Sequence, residues 1–182
     1  MNGNLHFMFG CAVGISASVL ANADATTSTL LISTAMIGSI FPDIDNPTSH
    51  FGQLTKPISS FVSAFSGKGS NHRGIIHSLL FGVGGLLLSY FFFKPLIGLF
   101  IGILSHLLLD SFNPSGIPLG IGFKRLHLGK IPCDSKYCTL VTVVMLILVL
   151  SIGFFLKQRG VDLSMYINTS TETVKQMNPL QH

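Results

Sequence analysis

The sequence predicts an all-α, polytopic membrane bundle of about five spans. Three observations predict it. Hydrophobic residues make up 48% of the chain and charged residues only 10%, against about 25% charged in soluble domains. The mean hydropathy is +0.60. The apolar residues are gathered into runs long enough to cross a hydrocarbon core, and the basic residues stand in the connections. The net charge of +4 and pI near 9.1 therefore read as a membrane-orientation signal, and direct nucleic-acid binding is not expected.

Residues 5–22 form the first run, with Gly10 and Gly14 four apart, a close-packing signal. Leu20-Ala21-Asn22-Ala23 resembles a signal-peptide cleavage site. The first basic residue is Lys56, however, so the basic n-region is missing and the span is expected to be retained. Asn22-Ala23-Asp24 reads as a turn. Residues 26–41 form a second span rich in Ser and Thr, whose hydroxyls can bond back to helix carbonyls. Pro42 ends it. Residues 42–74 read as a polar loop rich in Gly, Pro and Ser. Residues 75–93 read as one helix of roughly 28 Å. Lys94-Pro95 breaks the chain, and residues 96–112 run back. Residues 113–138 read as a second polar loop, carrying Lys124, Arg125, Lys130 and Lys136. Residues 139–156 are an uncharged span, and 157–182 a polar, mobile tail. The expected organisation is a membrane-embedded domain, 1–156, followed by that tail. Cys11 reads as a small core residue. Cys133 and Cys138 offer only a weak Cys-x4-Cys signal.

Two successive hairpins return to one membrane face. That face holds Lys56, Lys68, Arg73, Lys124, Arg125, Lys130 and Lys136, against Lys94, Lys157, Arg159 and Lys175 on the other. The basic excess places the first face in the cytoplasm. The expected location is a bacterial inner membrane, crossed several times.

The ionisable residues collect at the same face. His6 begins the first span, Asp43 and Asp45 follow the second, His72 and His77 begin the third, and His106 and Asp110 end the fourth. His106 and Asp110 are four apart and share a helix face. Imidazole and carboxylate suit zinc, manganese or iron. Pro42-Asp43-Ile44-Asp45 is a bend that can turn two carboxylates inward. Arg73 beside the histidines suits a phosphate or a developing oxyanion. Each residue alone has a plainer reading, as an interfacial histidine, a solvated turn or an interhelical hydrogen bond. Ionisable groups in apolar spans are costly, and seven of them converging favours a metal or catalytic site. His50, His127, Asp134, Asp162 and His182 fall in loops or the tail, and Asp24 in the turn on the other side.

Taken in order, these blocks resemble the bacterial inner-membrane metal-dependent hydrolase family described as LexA-binding and inner-membrane-associated. The blocks are His6; Pro42-Asp43-Ile44-Asp45; His72-Arg73-Gly74 with His77-Ser78; His106-Leu107-Leu108-Leu109-Asp110; and Asn113-Pro114-Ser115-Gly116-Ile117-Pro118-Leu119. The resemblance covers roughly residues 1–140. Leu5 and Ile76 stand where many relatives have Thr, and neither change removes an expected ligand. The family is distantly similar to zinc-dependent phospholipases C and single-strand nucleases, which hold clustered zinc with His-x3-Asp pairs. His106 and Asp110 would be such a pair.

The resemblance implies metal-dependent hydrolysis of a phosphoester or lipid-derived substrate. Zinc is the first expected metal and manganese the second. His6, Asp43, Asp45, His72, His77, His106 and Asp110 would be ligands or their supports. Asp45 would act as general base and Arg73 would stabilise negative charge. Membrane lipid and a LexA-type protein are the expected partners. Two other readings use the same residues: a membrane adaptor that tethers such a regulatory protein, and a metal or proton carrier.

Overall fold

The computed structural model describes residues 3–45, 49–65, 75–120, 124–131 and 136–164. In chain order the helices are α1 (Gly3–Leu20), α2 (Ala25–Ile40), α3 (His50–Leu54), α4 (Lys56–Phe65), α5 (Leu79–Phe92), α6 (Ile97–Asp110) and α7 (Lys136–Gln158). Three 3-10 turns, Phe41–Asp45, Ile75–His77 and Lys94–Leu96, lead out of or into the long helices. The fold is therefore an all-α helical membrane bundle. Among the described residues, three segments are long and apolar enough to cross a membrane: Gly3–Leu20, Ala25–Ile44 and Tyr137–Gln158.

Helix α2 is the centre. It packs on α1 on one side and on α6 on the other, while α7 covers α1 and α5 covers α6. Small residues permit this. A Cβ on Gly14 would come within 2.8 Å of Ile32 Cα. A Cβ on Gly38 would overlap the Leu99 carbonyl, and one on Gly102 the Ala35 carbonyl. The close-packing signal of Gly10 and Gly14 thus extends into a second seam, between α2 and α6.

The hydroxyls of α2 behave as the sequence suggests. Thr29 Oγ1 donates to the Ala25 carbonyl at 2.8 Å, Thr34 Oγ1 to Leu30 at 2.6 Å and Ser39 Oγ to Met36 at 2.7 Å. Asp24 caps the helix, accepting from Thr27 N at 2.7 Å.

Three sequence expectations change. Residues 75–93 do not form one helix. Ser78 caps α5 by accepting from Phe81 N, so residues 75–77 are left as a 3-10 turn and α5 has 14 residues. At 1.5 Å per residue that is about 21 Å, short of a ~30 Å core. Helix α6, also 14 residues, is the buried helix of the pair rather than a lipid-facing one: nine of its residues, His106 and Asp110 among them, are buried.

Both polar loops contain regular structure. The 42–74 segment holds α3, capped by Ser49, and α4, which opens on Lys56-Pro57 with Pro in its first turn. The 113–138 segment folds back as a short antiparallel hairpin, Ile117–Pro118 against Arg125–Leu126. The hairpin is tied down at several points. Leu128 N donates to Ser111 O at 2.8 Å, Ile131 N to Phe112 O at 2.9 Å, and Leu80 N to Leu119 O at 3.0 Å. Gly116 turns the chain at φ +58°, with the His127 ring against it.

The beginning of the tail is packed. Leu163 N donates to Leu20 O at 2.7 Å, and Leu163 rests on Ala21 and Leu31. Residues 165–182 lie outside the described residues.

Candidate metal centre

Four connections deliver polar side chains to one end of the bundle. His6 lies in the first turns of α1. Asp43 lies in the 3-10 turn that continues α2. His77 ends the 3-10 turn before α5. His106 and Asp110 occupy the last turns of α6. His6 and His106 are each 1% exposed, and His77 and Asp110 each 3%.

The rings and carboxylates converge. His6 and His106 stack with centroids 3.9 Å apart and planes 18° from parallel. His77 meets His106 edge-on at 5.3 Å. Asp110 reaches both stacked rings, with Oδ1 3.5 Å from His6 Nε2 and Oδ2 3.7 Å from His106 Nε2. Asp43 Oδ1 stands 4.0 Å from the same His106 nitrogen. Two overlapping sets of possible ligand atoms result, His6–His106–Asp110 and Asp43–His77–His106, each within 4.8 Å.

The chemistry of His106 decides what these distances mean. Its Nδ1 lies 2.7 Å from the Ser39 carbonyl oxygen. A carbonyl only accepts, so Nδ1 carries the proton and Nε2 is left with its lone pair. That lone pair faces the oxygens of Asp43 and Asp110. Separations of 3.7 and 4.0 Å are too long for hydrogen bonds. Among the described residues, His106 Nε2 and His6 Nδ1 are buried with no hydrogen-bond partner. Such an orphan costs on the order of 1–3 kcal/mol. A cation between the lone pair and the oxygens would remove the cost. Donors about 2.0–2.2 Å from one ion stand about 3–4 Å apart, as these do. An imidazole that donates its other N–H to a backbone carbonyl is also the usual orientation of a metal-binding histidine.

Asn113 belongs to the cluster although only its motif stood out in the sequence. It is 1% exposed, and its Nδ2 donates to Asp110 Oδ1 at 2.7 Å. The signal available was its place three residues after Asp110, just beyond the helix end. The Ser39 carbonyl has no sequence signal, since any residue could supply it.

Of the seven expected ligands, five are brought together. The Asp45 side chain, His72 and Arg73 lie outside the described residues. His127 is exposed and sits against Gly116, apart from the cluster.

The model of the YdjM inner membrane protein family matches residues 1–170. The chain belongs to that family. The inner membrane protein YdjM of Escherichia coli K12 is 35% identical over 130 residues, covering 64% of this chain and 62% of the relative. The Shigella flexneri protein of the same name matches equally. The uncharacterized protein YvsG of Bacillus subtilis is 32% identical over 126 residues, covering 65% of this chain and 72% of its own. The chain spans less than two thirds of the length of the first two relatives. No solved structure matches. Membership of the YdjM family and the apolar helices together make this an inner-membrane protein. The cluster lies within the stretch that the family model covers.

Proposed function

We propose that the chain is a membrane-bound metal-dependent hydrolase of phosphoesters, with lipid-derived phosphoesters as the first class to test. The observation that carries this reading is the His106 lone pair, buried and aimed at two carboxylates without a hydrogen bond. His6, Asp43, His77, His106 and Asp110 would hold a divalent ion, zinc first and manganese second, with His72 as a further ligand. When bound, such an ion supplies a Lewis acid that polarises a phosphoryl oxygen and acidifies water. The protein's own groups do the rest. The Ser39 carbonyl fixes the His106 tautomer, and Asn113 turns the Asp110 carboxylate toward the two rings. Asp45 is assigned the role of proton acceptor and Arg73 that of countercharge to the phosphoryl oxygens. On this reading α5 and α6, each shorter than a full crossing, form a hairpin within the bundle that returns the chain to the site-bearing face.

Elemental analysis of detergent-purified protein tests the proposal, together with hydrolysis of a chromogenic phosphodiester and of phospholipid. Wild type should carry stoichiometric metal, and His106→Ala and Asp110→Ala should each lose it. Arg73→Ala should keep the metal and lose turnover. Wild type that holds no metal and takes up neither zinc nor manganese would refute the site. Capture of a LexA-type protein that survives loss of His106 and Asp110 would then favour an adaptor.

A further inference from the structure

Helix α4 is built inside out for an aqueous surface. Ile58 and Phe61 are 57% and 66% exposed, and Leu54, the last residue of α3, is 83% exposed. Ile58 and Phe61 are three apart on one face of α4, and Leu54 ends the helix just before it. Ser59, on the other side of the helix, is fully buried. An apolar stripe turned outward and a hydroxyl turned inward suit an apolar surrounding.

The position of α4 says what that surrounding is. The helix packs on the 3-10 turn Phe41–Asp45. That turn ends a segment, Ala25–Ile44, that is long and apolar enough to cross the membrane. Helix α4 therefore sits where a crossing segment leaves the hydrocarbon. Its 10 residues reach only about 15 Å, so it cannot cross. Exposed Lys56 stands at its start, beside the Pro57 that fixes the first turn.

We propose that α4 is an interfacial helix, lying in the headgroup zone of the leaflet that borders the candidate metal centre. Leu54, Ile58 and Phe61 enter the acyl boundary, and Lys56 meets anionic headgroups. Because α4 rests on the turn that carries Asp43, lipid lies beside that end of the bundle. This placement is independent of whether a metal binds there.

The chain has no Trp, so Phe61→Trp makes a sole reporter in the full-length protein. The variant is reconstituted in vesicles of phosphatidylethanolamine and phosphatidylglycerol. Its emission should lie at short wavelength and resist acrylamide. Lipids brominated near the headgroup end of the acyl chain should quench most of it, and lipids brominated near the chain terminus much less. Phe154→Trp on lipid-facing α7 serves as the control for deep quenching. Emission typical of water with full acrylamide access would overturn the proposal. So would shielded emission that no brominated lipid quenches, which would mean that protein, either this chain or a second copy, covers the stripe. If Phe61→Trp does not fold, Ile58→Trp reads the same face with the same expected result.

Discussion

Replacing Asn113 by Ala tests the cluster without touching a ligand. The Asn113 amide donates to Asp110 Oδ1 at 2.7 Å, and both side chains are buried. The Asp110 carboxylate is thereby held with one oxygen toward His6, at 3.5 Å, and the other toward His106, at 3.7 Å. A hydrogen bond to a charged group contributes about 1.5–3 kcal/mol. Loss of that amount from the bound state alone would weaken metal affinity roughly 10- to 150-fold. Groups behind metal ligands lower affinity about 10- to 100-fold when removed, which agrees. The assay is competition for zinc between the purified protein and a fluorescent chelator, with wild type and Asn113→Ala measured side by side. Thermal unfolding of the apo proteins separates affinity from folding. If the two affinities agree within about twofold while wild type binds zinc, Asn113 does not orient a ligand and the geometry has been misread.

Three further outcomes are expected. Gly102→Val places a branched side chain against the Ala35 carbonyl and the Ser39 backbone nitrogen, so it should lower stability by about 1–3 kcal/mol or more. It should also weaken zinc binding, since Ser39 moves with the seam; an unchanged melting temperature in detergent would contradict the close packing. Single cysteines at Ser63 and Ser115, in a cysteine-free background, should react only from the cytoplasmic side, as the basic residues require; labelling of both from the periplasm would invert the topology. Truncation after Ser164 should leave stability unchanged. Truncation after Gly160 removes Leu163 and should cost about 1–3 kcal/mol, because a buried-edge contact and a backbone hydrogen bond are lost together; equal melting temperatures would show that the Leu163 contacts add no stability.

The apolar runs were legible because lipid imposes one composition on any crossing segment, and α1, α2 and α7 follow it closely. The ends of the runs were less legible. Nothing in the hydropathy of residues 75–93 separates the 3-10 turn at Ile75–His77 from α5. The boundary is set by one hydroxyl, Ser78, accepting from Phe81 N. The same holds for α4. Its sequence, Lys56-Pro57-Ile58-Ser59-Ser60-Phe61, is too polar to resemble a span, and its order depends on a neighbouring turn for packing. At the cluster, residue type was the readable part. His6, Asp43, His77, His106 and Asp110 could be chosen because charge and imidazole are rare in apolar segments. Asn113 and the Ser39 carbonyl could not, because an amide beyond a helix end and a backbone oxygen are common everywhere. They act only through position.

Protons are the alternative to a metal for satisfying this cluster, and the ring geometry argues against them. His106 would need a proton on Nε2 in addition to the one on Nδ1, which makes it an imidazolium. His6 lies against it, face to face at 3.9 Å, so charging both rings sets two cations in direct contact in a buried site. Charging His106 alone does not create a hydrogen bond, because Asp43 and Asp110 stand at 4.0 and 3.7 Å. Nor do the helix dipoles help. The N-termini of α1 and α5 reach this end of the bundle alongside the C-termini of α2 and α6, and antiparallel pairs largely cancel. A divalent ion between the His106 lone pair and the two carboxylates satisfies the orphaned nitrogen and places positive charge between the oxygens at once. The two possibilities differ in a measurable way. A proton-filled cluster would show the same melting temperature with and without zinc. A metal-filled one should gain about 2.7 kcal/mol of stability when free zinc is 100 times the dissociation constant, and should lose that gain in His106→Ala.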